Sequence, residues 1–213
     1  MEQHWLVKNG NPNLVVFALG WSCDCNSVAH LAERGYVIFC VYDYRNIESV
    51  DAAQFDDYKY KVLVGWSFGV WAAEQIFSAE DFDRTIAING TPYPIDSSRG
   101  IPQRVANLTL RALKCGGIEQ FNLNTYGTLC QTNPEILPQR ELSSQVEELE
   151  RLYEQIEARP YAEFIWRKAI VGNGDRIFPV ANQLNFWGEE ATVTQSPHYP
   201  FLDSQTLDII FEQ

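Results

Sequence analysis

The chain has 213 residues, 46% of them hydrophobic, and a formal net charge of −12. That size fits one domain, or one core with an inserted excursion, and the acidic surplus argues against nucleic acid and anionic membrane surfaces, which both need a positive footprint. The opening residues lack the basic start and long apolar stretch of a secretory signal, and no apolar run is long enough to span a bilayer, so a cytoplasmic protein is expected, its five scattered cysteines reduced.

Trp5-Leu6-Val7 reads as a short edge strand, and Asn9 to Asn13 as dense turn chemistry. Leu14 to Leu19 reads as a buried strand ending at Gly20-Trp21-Ser22. Asn26 or Ser27 then caps a helix that runs to Arg34 and is stopped by Gly35. Tyr36 to Tyr42 is a second buried strand, closing on Asp43-Tyr44-Arg45. Lys61 to Ala73, KVLVGWSFGVWAA, joins a β-branched run to Gly65-Trp66-Ser67-Phe68-Gly69 and an apolar helix. A G-x-S-x-G between strand and helix describes a nucleophile elbow, with serine at the tip of a strained turn and glycines where a Cβ would collide with passing backbone. Thr85 to Ile88 is the next strand, ending at Asn89-Gly90-Thr91. Continuous apolar strands alternating with helices imply a parallel sheet covered on both faces, with ligands bound beyond the carboxyl ends of its strands.

From Tyr93 to Arg159 the alternation breaks. Val105 to Lys114 is helix-like, Asn122 to Pro138 is irregular, and Glu141 to Glu157 is an amphipathic helix. Residues 93–159 are expected to form a helical cap inserted into an α/β core of residues 1–92 and 160–213. The sheet resumes at Arg167 to Gly172, Val180 to Trp187 is a helix, Ala191 to Thr194 is the last strand, and the chain closes with a helix after Phe201.

A serine hydroxyl needs a base to take its proton and a third group to orient that base. Asp175 and His198 each lie just past a later strand end, which gives the chain order Ser67, Asp175, His198. Asp43 is an alternative acid, although its neighbours suggest a structural ion pair or hydrogen bond. His4 precedes the sheet and His30 lies within the first helix, so His198 is the best base. The backbone N–H groups of Trp21 and Phe68 are candidate oxyanion donors, and the side chains of Trp21, Phe68 and Tyr199 are candidates to line an acyl pocket. Cys23-Asp24-Cys25 has no second pair to complete a metal site, and neither metal nor cofactor is expected.

Taken together, these residues resemble the BioG type of pimeloyl-acyl-carrier-protein methyl ester esterase, a compact branch of the α/β hydrolases. The similarity lies in Ala18-Leu19-Gly20-Trp21, Tyr42 to Arg45, the Gly65 to Trp71 elbow, Asn89-Gly90-Thr91, Gly100-Ile101-Pro102, Asp175 to Gln183 and His198-Tyr199-Pro200-Phe201. It implies hydrolysis of a methyl ester carried on phosphopantetheine, with Ser67 as nucleophile, His198 as base and then acid, and Asp175 as its orienter. It also implies an acidic acyl-carrier protein as partner, to a chain expected to be monomeric. Arg99, Arg104, Arg111, Lys114, Arg140, Arg151 and Arg159 are candidates for that docking face, or else solvated charges balanced by Glu148, Glu150 and Glu154. A general short-chain carboxylesterase or thioesterase on the same triad, or a non-catalytic binder with a hydrolase shell, are the alternatives.

Overall fold

The computed structural model describes residues 1–159 and 164–212. One sheet holds β1 (Glu2–Val7), β2 (Asn13–Ala18), β3 (Val37–Tyr42), β4 (Tyr60–Trp66), β5 (Arg84–Ile88), β6 (Lys168–Gly174) and β7 (Ala191–Pro197), in the order β1-β3-β2-β4-β5-β6-β7. β1 pairs antiparallel with β3 at one edge, and every other neighbouring pair is parallel. The central strands are apolar at successive positions because both faces are covered. Along β2, Leu14, Val16 and Ala18 pack into one core while Val15, Phe17 and the following Leu19 pack into the other. Alternation of side chains across the pleat accounts for that division.

Seven α-helices are found among the described residues: α1 (Phe68–Ile76), α2 (Gln103–Lys114), α3 (Ile118–Tyr126), α4 (Leu129–Thr132), α5 (Leu142–Ala158), α6 (Val180–Trp187) and α7 (Ser204–Phe211). The segment after β2 is a 3-10 helix, Cys25–Arg34, closed by Gly35 at φ 82°. Its cap is Asp24, two or three residues before the expected Asn26 or Ser27, and the Asp24 side chain accepts from the Asn26 N–H. That carboxylate also accepts from the Gln139 N–H at 2.7 Å, so one residue ties this turn to the distant helical segment.

Residues 122–138, expected to be irregular, hold the end of α3, the whole of α4 and a 3-10 turn over Pro134–Ile136. Gly127, at φ 60°, and Pro134 divide the segment into pieces too short to show a helical period. Tertiary burial holds them instead, since Tyr126 and Ile136 are both enclosed in the second core. Helices α2 to α5 all fall between β5 and β6. The expected resumption of the core at residue 160 lies outside the described residues. No helix among the described residues is long and apolar enough to cross a membrane.

Four non-glycine residues take left-handed φ among the described residues: Ser22 (71°), Asp43 (57°), Ser67 (60°) and Asn89 (48°). Each follows the carboxyl end of a parallel strand, β2, β3, β4 or β5. Conformations of this kind cost free energy and persist where surrounding contacts fix them. They mark one rim of the sheet.

Candidate active site

Ser67 stands between β4 and α1 with φ 60° and ψ −125°. The turn is possible because the glycines on either side let other backbone through. A Cβ on Gly69 would be driven into the Ala18 carbonyl oxygen, and one on Gly65 would meet the Trp166 ring at 2.6 Å. A Cβ on Gly90 would strike the Ser67 carbonyl oxygen, so the end of β5 presses directly behind the turn. From the other side the Gly20-Trp21 backbone approaches, with a Gly20 Cβ position 3.2 Å from the Ser67 Cβ.

The structure brings Ser67, His198 and Asp175 into one hydrogen-bonded line. His198 Nε2 lies 2.9 Å from Ser67 Oγ, and His198 Nδ1 lies 2.9 Å from Asp175 Oδ1. All three residues are buried. The His198 main chain is fixed by two donors to its carbonyl oxygen, Trp66 Nε1 at 2.9 Å and Asn89 Nδ2 at 2.9 Å. Asn89 Oδ1 in turn accepts from the Gly172 N–H at 2.7 Å, so one side chain links β5, β6 and the histidine loop. Asp175 accepts from the Ile177 and Phe178 N–H groups at 2.8 and 3.0 Å and from Gln183 Nε2 at 2.9 Å. Asn89 and Gln183 were not among the expected site residues. The sequence signal for them was slight: an Asn-Gly at a strand end, and an amide in the helix after the acid.

Asp43 is not part of this line. Its carboxylate binds Arg45 at 2.6 Å and Arg140 at 3.2 Å. Burial pushes the Asp43 carboxyl upward, but Arg45 and Arg140 outweigh it and hold the group below its ordinary value.

Above Ser67 lies a cavity of about 190 Å³. Its wall is mainly apolar, with Ile101, Ala106, Leu113, Phe121, Leu149 and Tyr153 supplied by α2, α3, α5 and their approaches. Trp21 and Phe68 line it, and Arg176, Gln120 and Asn124 add polar groups. Tyr199 does not line it. That ring is buried among Trp66, Tyr126 and Phe201, and its hydroxyl donates to the Ser27 carbonyl at 2.7 Å.

The seven basic residues expected at a docking face divide on inspection. Arg140 is interior, bound to Asp43 and to Glu148 at 2.5 Å, so it is removed from the set. Glu148, which the alternative reading had balancing solvated basic charges, is fully buried; burial raises its pKa and Arg140 opposes the rise. Arg99 pairs with Asp96 and lies 3.5 Å from the centre of the Tyr93 ring. Lys114 pairs with Glu150, and Arg151 with Glu154. Arg104 and Arg111 are exposed on α2 with no ion pair among the described residues, and Arg159 is half-buried just beyond α5.

The family model described as pimeloyl-ACP methyl esterase BioG matches residues 1–206. A protein of Bacteroides fragilis (strain 638R) named malonyl-[acyl-carrier protein] O-methyltransferase is 36% identical over 177 residues. That match takes in 81% of this chain but only 36% of the Bacteroides protein, so the chain spans about a third of that relative's length. The crystal structure of BioG from Haemophilus influenzae superposes with a TM-score of 0.85 at 26% identity, covering 100% of both chains. A lipase-esterase related protein from Clostridium acetobutylicum, at 12% identity, shares the fold with a TM-score of 0.57 over 99% of this chain and 97% of its own. The fold is that of the α/β hydrolases.

Proposed function

The chain belongs to the BioG family of pimeloyl-ACP methyl esterases, and we propose that it hydrolyses the methyl ester of pimeloyl-acyl-carrier protein, releasing methanol and the free carboxylate in biotin precursor synthesis. The observation that carries this reading is the Ser67–His198–Asp175 line, joined by two 2.9 Å contacts at the floor of an apolar cavity.

In this reading Ser67 Oγ attacks the ester carbonyl while His198 Nε2 takes its proton. The carbonyl oxygen becomes an oxyanion, held by the N–H groups of Trp21 and Phe68. The placement of the Gly20-Trp21 backbone beside Ser67, and of Phe68 at the first turn of α1, supports that pair. As the tetrahedral adduct collapses, its C–O bond to methoxide breaks and His198 returns the proton, so methanol leaves. Water then attacks the acyl-Ser67 ester with His198 again as base; the C–O bond to Ser67 Oγ breaks, His198 returns the proton to Oγ, and the free acid leaves as its carboxylate. Asp175 keeps His198 Nδ1 protonated and stabilises the imidazolium that forms in each half-reaction.

Substrate shape fits the cavity wall. The scissile ester lies at the far end of an acyl chain whose other end is anchored to the carrier. Burying about five methylenes at ~0.8 kcal/mol each would help draw that chain into an apolar passage. Residues 93–159 act as the cap that forms it, and the outer face of α2 is taken as the docking surface. There Arg104, Leu108 and Arg111 fall at i, i+4 and i+7, and Leu108 is 54% exposed.

The test compares wild type with Ser67→Ala on methyl pimeloyl-carrier protein and on a small methyl ester. Wild type is expected to release methanol from the carrier-linked ester preferentially, and Ser67→Ala to lose at least about 10³-fold of that rate. A folded wild type that leaves the carrier-linked ester intact, or a Ser67→Ala protein with full turnover, would refute the reading.

A further inference from the structure

Three consecutive residues of the loop after β2 are bound by one helix and its approach. Trp21 Nε1 donates to the Gln145 carbonyl at 2.7 Å, and the Ser22 N–H donates to Glu148 Oε2 at 3.3 Å. The Cys23 carbonyl accepts from Arg140 Nη1 at 3.3 Å. Gln145 and Glu148 lie on α5, and Arg140 lies two residues before it. The other oxygen of Glu148 accepts from the Tyr44 N–H at 2.9 Å, at the end of β3. Arg140 closes the arrangement by bridging Glu148 at 2.5 Å and Asp43 at 3.2 Å. One buried carboxylate therefore spans the two loops that carry the left-handed residues Ser22 and Asp43.

We propose that Glu148 is a positioning residue: from the inserted helices it clamps the Trp21-Ser22 backbone in the orientation that aims the Trp21 N–H at the developing oxyanion. This rests on the esterase reading, in which that N–H is a donor, and adds to it the source of the loop's geometry. A buried ion pair is costly to desolvate, and a hydrophobic contact could hold α5 as firmly. What an apolar side chain could not supply is two directed acceptors for backbone N–H groups, that of Ser22, itself at positive φ, and that of Tyr44, which follows Asp43 at positive φ. An oxyanion donor displaced by a fraction of its hydrogen-bond length stabilises the transition state far less, while ground-state binding in the apolar cavity is unaffected. On this account α5 stays docked through the catalytic cycle, and any opening of the cap occurs at α2 and α3.

Glu148→Gln, Gln155→Ala and wild type decide the matter. Gln155 also fastens α5 to the β3 loop, donating to the Tyr44 carbonyl at 2.8 Å and accepting from the Ile47 N–H, with no hydrogen bond to residues 21–23 among the described residues. Glu148→Gln is expected to lower kcat about 10- to 100-fold with KM within about 2-fold. Its affinity for an alkyl trifluoromethyl ketone, which forms a tetrahedral adduct on serine, should fall in parallel, and hydrogen exchange in residues 19–24 should quicken. Gln155→Ala should lower Tm yet keep kcat within about 2-fold. If Glu148→Gln does not fold, Arg140→Lys takes its place: it keeps the charge but loses the planar fork, and about 10-fold of kcat should go with it. Unchanged kcat in a folded Glu148→Gln, or losses in both variants that simply track Tm, would overturn the clamp. Failure of the esterase reading shows separately, in wild type and Ser67→Ala, and exchange in residues 19–24 tests the clamp in either case.

Discussion

Asp175 accepts four hydrogen bonds: from the Ile177 and Phe178 N–H groups and His198 Nδ1 on one oxygen, and from Gln183 on the other. An amide cannot satisfy all four, because one of its two polar atoms is itself a donor. Asp175→Asn should therefore lose both the charge that stabilises imidazolium and the full set of acceptors. The expected loss is on the order of 10³- to 10⁴-fold in kcat, with KM nearly unchanged because Asp175 does not line the cavity. Steady-state kinetics on the methyl ester check this, and a loss smaller than about 10-fold would mean that another group orients His198. The three residues of this line were legible because their types recur at strand ends in a known order. Asn89, Gln183 and Glu148 were not. Glu148 sits among Glu147 and Glu150 on an amphipathic helix and reads as solvated; only the loops packed above it make it interior.

At the scale of elements, α1 sits behind the serine and carries one charge-bearing group inward. Glu74 is 6% exposed and accepts from Trp166 Nε1 at 2.8 Å, while its other oxygen has no partner among the described residues. Burial pushes its carboxyl from 4.5 to about 8, with the Trp166 bond only partly opposing the rise. The folded protein thus holds a proton that the unfolded chain releases near 4.5. Stability from this source is full below that pH, is lost progressively as pH climbs toward about 8, and then levels off, a change on the order of a few kcal/mol. Glu74→Gln keeps an acceptor for Trp166 and cannot ionise, so its urea midpoint should gain on wild type between about pH 5 and pH 8. A difference between the two proteins that does not vary with pH would exclude an ionising Glu74. Strands β2 to β5 announced themselves as apolar runs, since a sheet covered on both faces needs no polar alternation. α3 and α4 did not, because each is too short for its period to emerge before a glycine or proline intervenes.

Over the whole molecule the charge of −12 opposes any acidic partner at long range, but at physiological ionic strength such fields fade within about 8 Å. Docking is then decided by the charges that face the partner at contact. On the proposed docking reading the candidates are fewer, since salt bridges occupy Arg99, Lys114, Arg140 and Arg151. Arg104, Arg111 and the half-buried Arg159 remain; the first two lie on one face of α2 with exposed Leu108 between them, while other residues of that helix line the cavity. A carrier seated there would deliver its acyl chain over α2 toward Ser67. Reversing both arginines, Arg104→Glu with Arg111→Glu, replaces two attractions with two repulsions at the rim of a contact, where charges act mainly on association. The expected result is a KM for methyl pimeloyl-carrier protein raised about 10-fold, with kcat and the turnover of a small methyl ester unchanged. Raising the salt concentration should shrink the gap between variant and wild type, because exposed charges are screened. Equal KM values in both proteins at low salt would move the carrier to another face. A parallel loss on the small ester would instead show that α2 had been displaced from the cavity, since in the proposed docking only the carrier-linked substrate would meet its outer surface.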